Sequence, residues 1–462
     1  MSSTESRRLV EDYYKVFPEE ITIENFKSIK NLTLKLRPGI NLLVGPNGSG
    51  KTNILEAIHF FMRALSRDEL IKIPYAPYIP YYWDPQDLFY AKDISNSLGF
   101  KLTLRITWEE EHDIYSTRII LSTKFTLAGS RNIESQWFEI STDGSRIEVM
   151  GNSLRVYLKA EYVKYLEDLL EDLEVRLNDF KKYNDYLVGD FRLLSHGIDG
   201  IMEILYPSLG IGASKNYGNQ ILMIQRILIP AVKGDILLIL KWSRTNIDEY
   251  KGVNTPLFSE VFDTVFSKAV LLKHPDVGAI SEPVPIRGLE RMDVRARNLV
   301  SILYSLRANK RLGKLEWVLR ELFPPEVSIG FRDFAGRVAL TMQERGLELP
   351  PPNMPDGLIK VLAIATAVEL EPSLLLIDEI ENSLHAKALE VIFNLLNNLE
   401  VPVLVATHSP ILVDLVGPER TIIVNKDPNI GTTAEQVSDI ENLRSRLKEL
   451  GVAFSDYVFY GR

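Results

Sequence analysis

Cysteine is absent from the 462 residues. No disulfide, zinc ribbon or CxxC metal hook can form, and folding needs no oxidising compartment. Also missing is any apolar run of the roughly 18 to 20 residues that a helix needs to cross a bilayer. The densest candidate, Ile236 to Leu240, follows Asp235 and precedes Lys241, so it reads as a buried strand or helix segment. Met1 to Arg8 lacks the apolar core of a signal peptide. A cytoplasmic chain without membrane contact is therefore expected. Positive charge is short too, with 53 Lys and Arg against 62 Asp and Glu and a formal net charge of -9. A chain that coated nucleic acid through its overall charge would be basic, so DNA contact would need a local patch.

What is present suits a chain with a sizeable core. Hydrophobic residues make up 45%, enough for two or three domains or one large two-lobed one. Ile21 to Ile23 and Leu32 to Leu36 alternate as strands do. The apolar run Ile40 to Val44 then enters a glycine-rich turn. Beyond that turn Ile54, Leu55, Ile58, Phe61 and Leu65 recur at helical spacing. The turn itself is Gly45-Pro46-Asn47-Gly48-Ser49-Gly50-Lys51-Thr52, which satisfies GxxxxGK[ST]. Glycines let consecutive backbone N–H groups face one concavity at a helix N-terminus, and that concavity cradles phosphate. Lys51 is placed to reach the β- and γ-phosphates of ATP, and the Thr52 hydroxyl to ligate Mg2+.

Two further strand ends carry chemistry. Leu374 to Ile377 is a continuous apolar run that delivers Asp378 and Glu379. An acid at the end of such a strand holds magnesium in P-loop proteins, which assigns Asp378, and the adjacent Glu379 suits a general base. Val403 to Ala406 is a second buried run, and it leads into Thr407-His408-Ser409-Pro410. His408 there can hydrogen-bond the γ-phosphate or the attacking water.

The middle of the chain reads differently. Residues from about 66 to 96 are rich in Pro and Tyr and read as loop, and alternating segments such as Phe100 to Ile106 suggest strands up to about residue 150. Leu166, Leu173, Phe180 and Leu187 fall at heptad spacing, which fits an amphipathic helix or a coiled-coil arm of about 30 residues. A second helical stretch is expected from about Asp293 to Leu322, with Leu299, Leu303, Leu306 and Leu315 as its apolar positions. Between Arg287 and Arg320 nine cations (Arg287, Arg291, Arg295, Arg297, Arg307, Lys310, Arg311, Lys314 and Arg320) face three acids. Such a surface either is merely solvated or contacts DNA phosphates without reading bases.

The order of P-loop, Asp378-Glu379 strand and Thr407-His408-Ser409-Pro410 resembles the ABC-type ATPase heads of the SMC, RecF and OLD-like group. So do the opening Ile23-Glu24-Asn25-Phe26-Lys27-Ser28, the run Asp378 to His385 and the ending Thr407 to Leu412. The resemblance covers roughly residues 20 to 65 and 350 to 462. It implies an α/β, two-lobed P-loop NTPase with a mixed sheet and a helical insertion. The expected domains are an N-terminal lobe with the P-loop over 1–150, a largely helical insertion over 151–322 and a C-terminal lobe over 323–462.

It further implies a homodimer in which each ATP is sandwiched between one P-loop and the partner's signature motif. Met354-Pro355-Asp356-Gly357 matches that motif, with Pro355 where the family usually has a serine. Proline offers neither hydroxyl nor backbone N–H, while Asp356 and Gly357 keep theirs. The departure bears on hydrolysis rate more than on ATP binding. Gln86 is the candidate for the family's nucleotide-sensing glutamine. The expected function is an ATP-gated clamp or switch on DNA, and the alternative is a slow ATP-dependent scaffold regulating a separate effector such as a nuclease. A transporter subunit is disfavoured because Lys51 and Asp378 stand 327 positions apart. With 54 residues after His408, no nuclease domain is expected within the chain.

Overall fold

A computed structural model of the chain describes residues 14–66, 78, 84–110, 113–128, 132–142, 145–151, 153–159, 180–192, 264–288, 291–437 and 439–460. Leu166, Leu170, Leu173, Leu177 and the run Ile236 to Leu240 lie outside them. In chain order the first strands are β1 (Tyr14–Phe26), β2 (Ile29–Lys35) and β3 (Gly39–Val44), followed by helix α1 (Lys51–Ala64). Next come β4 (Leu98–Glu110), β5 (Asp113–Ala128), β6 (Asn132–Ser141), β7 (Ser145–Met150), β8 (Ser153–Lys159), β9 (Phe180–Tyr183) and β10 (Tyr186–Arg192). After β11 (Ala269–Leu272) stand α2 (Val277–Ser281), β12 (Val284–Pro285), α3 (Leu299–Ala308) and α4 (Gly313–Leu322). Then follow β13 (Ser328–Phe334), β14 (Arg337–Glu344), β15 (Leu347–Leu349), α5 (Asp356–Glu369), β16 (Leu374–Ile377) and α6 (Ala386–Asn397). The last elements are β17 (Pro402–Thr407), α7 (Pro410–Val416), β18 (Thr421–Asp427), β19 (Gly431–Gln436), α8 (Ile440–Leu450) and α9 (Phe454–Tyr460).

Two compact units emerge. One comprises Met1–Lys27, Thr33–Lys35 and Phe61–Ser267, the other Ser28–Leu32, Leu36–Phe60 and Lys268–Arg462. In the first unit β1, β4, β5, β6, β7, β8, β10 and β9 follow one another as antiparallel neighbours. Alternation makes this possible: Leu102, Leu104 and Leu121 point into a core while Lys101 and Lys124 face solvent. Phe61 and Phe100 stack at 5.3 Å, with Phe26, Phe125 and Phe266 edge-on around them.

The second unit is built on parallel pairing in the order β11, β16, β17, β3, β18, with antiparallel β19 beyond and the start of β2 beside it. Strands β3, β11, β16 and β17 are buried at every residue, as strands covered on both faces must be. Helix α5 packs on β11, and α6 and α7 pack on β3. Helix α4 begins without a cap of its own; Glu369 Oε1 from α5 accepts from the backbone N–H of Lys314 and Leu315 instead. A small antiparallel sheet of β12, β14 and β13, with β15 on β14, completes the unit.

This mixed α/β architecture is the expected class. The units are nevertheless cut differently from the three expected segments. Strand β3 hydrogen-bonds between β17 and β18, so the P-loop strand clusters with the C-terminal segment and not with the rest of residues 1–150. Among the described residues of 151–322, helix is confined to residues from 264 onward, and β8 to β12 are strands. Phe180 and Leu187, counted at heptad positions, lie in the β9–β10 hairpin. Its two-residue turn is Asn184-Asp185, with Asn184 at φ 53, and that turn chemistry overrides the leucine spacing.

Candidate nucleotide site

Four parallel strands deliver their chemistry at one edge of the second unit, because parallel strands place all their C-terminal ends together. Gly45 directly follows β3, Asp378 follows β16, His408 follows β17 and Lys273 follows β11. Register fixes the order: Leu272 pairs with Ile377, Ile377 with Val405 and Val44 with Thr407.

The P-loop turn is held by close backbone packing. A Cβ on Gly45 would lie 1.9 Å from the Val424 carbonyl oxygen. Gly50, at φ +107, would place one 2.1 Å from Thr432 Oγ1. Thr432 Oγ1 donates to the Ser49 carbonyl at 2.9 Å and meets Ser28 Oγ at 2.7 Å, and Asn53 Nδ2 donates to Ser28 Oγ at 2.7 Å. Ser28 and Thr432 therefore brace the loop from behind. Lys51 Nζ folds over the turn and donates to the carbonyls of Gly45 at 2.8 Å and Pro46 at 3.1 Å. Burial pulls the Lys51 pKa down, against the attraction of Asp378, Glu381 and Glu379. Ser49 Oγ is buried with no hydrogen-bond partner among the described residues.

Thr52 and Asp378 meet directly. Thr52 Oγ1 lies 3.1 and 3.0 Å from the two carboxylate oxygens of Asp378. Burial raises the Asp378 pKa, while the Thr52 hydroxyl and Lys273 oppose the rise. Lys273 is ion-paired with Glu56, one turn beyond Thr52 on α1. A hydroxyl and a carboxylate in contact beside the P-loop turn match the two protein ligands that Mg2+ takes in such sites, phosphate and water filling the rest. Among the described residues no group of three or more His, Cys, Asp or Glu forms a self-sufficient metal cage. The residues fit a nucleotide-borne magnesium.

Glu379 is exposed and stands in the left-handed region at φ 49, with Oε2 accepting from Asn382 Nδ2 at 2.6 Å. His408 is half-buried, and burial followed by the Lys51 charge lowers its pKa below the ordinary value of 6.5, which favours the neutral imidazole. Glu381 was not singled out from the sequence, yet it ties the two strand ends together. Its carboxylate accepts from Thr407 Oγ1 at 2.8 Å and from the His408 backbone N–H. Lys360, Lys273 and Thr432 were missed as well, since only tertiary adjacency gives them a role. A single lysine inside the apolar stretch Leu358 to Leu370 was the one available signal.

The signature-like segment opens α5. Met354 is buried, whereas Pro355 and Asp356 are exposed, and Pro355 occupies the N-cap without a side-chain hydrogen bond. A Cβ on Gly357 would lie 2.5 Å from the Ser383 carbonyl oxygen, so glycine is needed there for packing within the same chain. Gln86 sits in a 3-10 turn, Pro85–Leu88, of the first unit. In the basic stretch, Arg297 pairs with Asp276 at 3.1 Å and Arg311 with Glu371 at 3.0 Å. Arg307 stacks on Phe331 and, with Arg320, edges an apolar cleft of about 590 Å³. Arg295, Lys310 and Lys314 are exposed.

Comparison with known proteins accords with this geometry. A family model described as "AAA ATPase domain" matches residues 19–200. A second, "AAA domain, putative AbiEii toxin, Type IV TA system", matches residues 267–414. The DNA replication and repair protein RecF of Prosthecochloris aestuarii is 60% identical over 42 residues, 9% of this chain and 11% of that one. RecF of Moorella thermoacetica is 30% identical over 118 residues, 25% of this chain and 26% of that one. The chromosome partition protein Smc of Methanocaldococcus jannaschii is 42% identical over 64 residues, 14% of this chain and 6% of that one. The chain thus spans well under a third of each of these relatives. An SMC head domain from Thermotoga maritima covers 91% of this chain and 99% of its own at 12% identity and a TM-score of 0.36, too loose to argue from.

Fold and site together define an ABC-type P-loop nucleotide-binding protein. The chain carries ATPase-domain sequence over residues 19–200 and 267–414 and resembles the SMC/RecF group over short segments.

Replacing Glu381 with Ala leaves the Thr407 hydroxyl and the His408 N–H without their acceptor. We expect a loss of about 1 to 3 kcal/mol in stability, read by urea denaturation. An unchanged midpoint would remove Glu381 as a tie between these strand ends.

Proposed function

We propose that the chain hydrolyses ATP with Mg2+ and uses that cycle to pair two copies head to head, as a clamp or switch on DNA. The observation that carries this reading is the contact of Thr52 with Asp378 at the mouth of the P-loop. Lys51 and the N–H groups of Gly48, Ser49 and Gly50 bind the phosphates, with Gly45, Pro46 and Asn47 shaping the turn. Thr52 and Asp378 hold the magnesium, which supplies charge neutralisation at the β- and γ-phosphates. Glu379 orients and deprotonates the attacking water, and His408, neutral, donates to or accepts from the groups around the γ-phosphate. Lys51 must exchange its present carbonyl partners for phosphate oxygens when ATP enters.

Met354 to Gly357 would close over the nucleotide of a second copy. The exposure of Pro355 and Asp356 at the start of α5 supports that placement, because the Asp356 and Gly357 N–H groups stay outward at the positive helix end. A second reading, a slow ATP-dependent scaffold for a separate effector, is favoured by the same segment. Pro355 supplies no donor, and the Asp356 carboxylate in the first turn opposes an incoming phosphate. The DNA role draws on the repair and chromosome-partition proteins whose segments this chain shares. It also draws on the exposed cations Arg295, Lys310 and Lys314.

Lys51→Ala should abolish ATP binding, and Glu379→Gln should bind ATP yet accumulate as a dimer on size exclusion with light scattering. Wild-type affinity in the first variant would sink the site, and a monomer in the second would sink head pairing. Glu substitutions at Lys310 and Lys314 should weaken salt-sensitive binding of duplex DNA about tenfold in a low-salt titration. Unchanged binding would remove this patch.

A further inference from the structure

Lys360 is a buried cation with no part in the proposed hydrolysis. It lies on the second turn of α5, is 1% exposed, and sits among Leu358, Ile359, Val361 and Leu362. Among the described residues its ammonium has no carboxylate partner at bonding distance. Nζ lies 3.5 Å from the Asp378 carbonyl oxygen and 3.4 Å from that of Glu379. Burying an ammonium among apolar side chains is costly unless its charge meets polar groups, and these two carbonyls are the groups it meets. Burial lowers its pKa to about 8, with Asp378, Glu381 and Glu379 acting the other way.

The peptide it holds is an unusual one. Glu379 occupies the left-handed region at φ 49, and Ser383, four residues on, does so at φ 67. A non-glycine residue held there is strained and persists only where its surroundings fix it. The surroundings are visible: Lys360 beneath the two carbonyls, and Asn382 bonded to the Glu379 side chain at 2.6 Å and through its own N–H to the Glu379 carbonyl at 3.2 Å. One turn before Lys360, Gly357 presses its α-carbon against the Ser383 carbonyl, at a distance that excludes any side chain. The first two turns of α5 are thus fastened at two points to the loop that carries Asp378 and Glu379.

We propose that Lys360 is a positioning residue: it fixes the strained backbone of Glu379 from below and so joins the signature-like start of α5 to the acids of its own chain. This rests on the proposed role of Glu379 in hydrolysis. Movement of Met354 to Gly357 against a second copy's nucleotide would then reach Glu379 through Gly357 and Lys360, coupling two sites through a short rigid path.

The test is a double-mutant cycle in the full chain, with steady-state and single-turnover ATP hydrolysis and nucleotide affinity measured for each variant. Lys360→Met keeps length and apolar packing while removing the ammonium. It should lower kcat at least tenfold with KM for ATP within twofold of wild type. Combined with Glu379→Gln it should cost nothing further, since a residue acting through Glu379 has no effect once Glu379 is disabled. A kcat within twofold of wild type, or losses that multiply in the double variant, would overturn the proposal. Should Lys360→Met not yield folded protein by circular dichroism, Lys360→Gln, which keeps a carbonyl-directed donor, should hold kcat within threefold of wild type, and a tenfold loss there would overturn the proposal. Failure of the underlying reading looks different: Glu379→Gln alone would then hydrolyse ATP at the wild-type rate.

Discussion

The contact between Thr52 and Asp378 is the constraint around which the second unit is organised. It joins residues 326 positions apart, and it exists only because β3 and β16 lie in one parallel sheet with β17 between them. Parallel pairing sends all the strand ends to the same edge, so a glycine turn, an acid pair and a histidine converge without further design. The price of that convergence is a crowd of buried and half-buried charge. Lys51, Asp378, Lys273, Glu56 and Glu381 must neutralise one another, and burial displaces the pKa values of Lys51 and Asp378 in the expected directions.

The residues of that edge divide into those a sequence can display and those it cannot. Gly45 to Thr52 is legible because its spacing is itself the mechanism, and because an apolar run precedes it and a helical period follows. Asp378, Glu379 and His408 are legible because fully apolar runs end on them. Glu381, Thr432 and Lys273 carry no such signal. Each acts on a strand end or turn that lies far away in the sequence, as Thr432 does on Ser49. Gly357 is instructive in another way. Its motif suggests a close approach to phosphate, while the fold already requires glycine there to clear the Ser383 carbonyl.

The same contrast holds for the fold. Alternation marks β1 and β4 and apolar runs mark β3, β16 and β17, so the α/β class follows from period alone. Which segments cluster together does not follow, because the position of β3 between β17 and β18 is set by pairing over hundreds of residues. Heptad spacing misleads at Phe180 and Leu187, where a two-residue Asn184-Asp185 turn makes a hairpin. In the basic stretch Arg297, Arg307 and Arg311 each hold a partner within the fold, while Arg297 and Arg307 stay exposed.

The central claim is that Thr52 and Asp378 form the magnesium-binding half of an ATP site. Its most direct test is calorimetric ATP affinity with and without Mg2+ in wild type and in Asp378→Asn. The account predicts that magnesium tightens wild-type binding at least tenfold and that the variant loses this gain while keeping its magnesium-free affinity. Equal magnesium dependence in both proteins would contradict it.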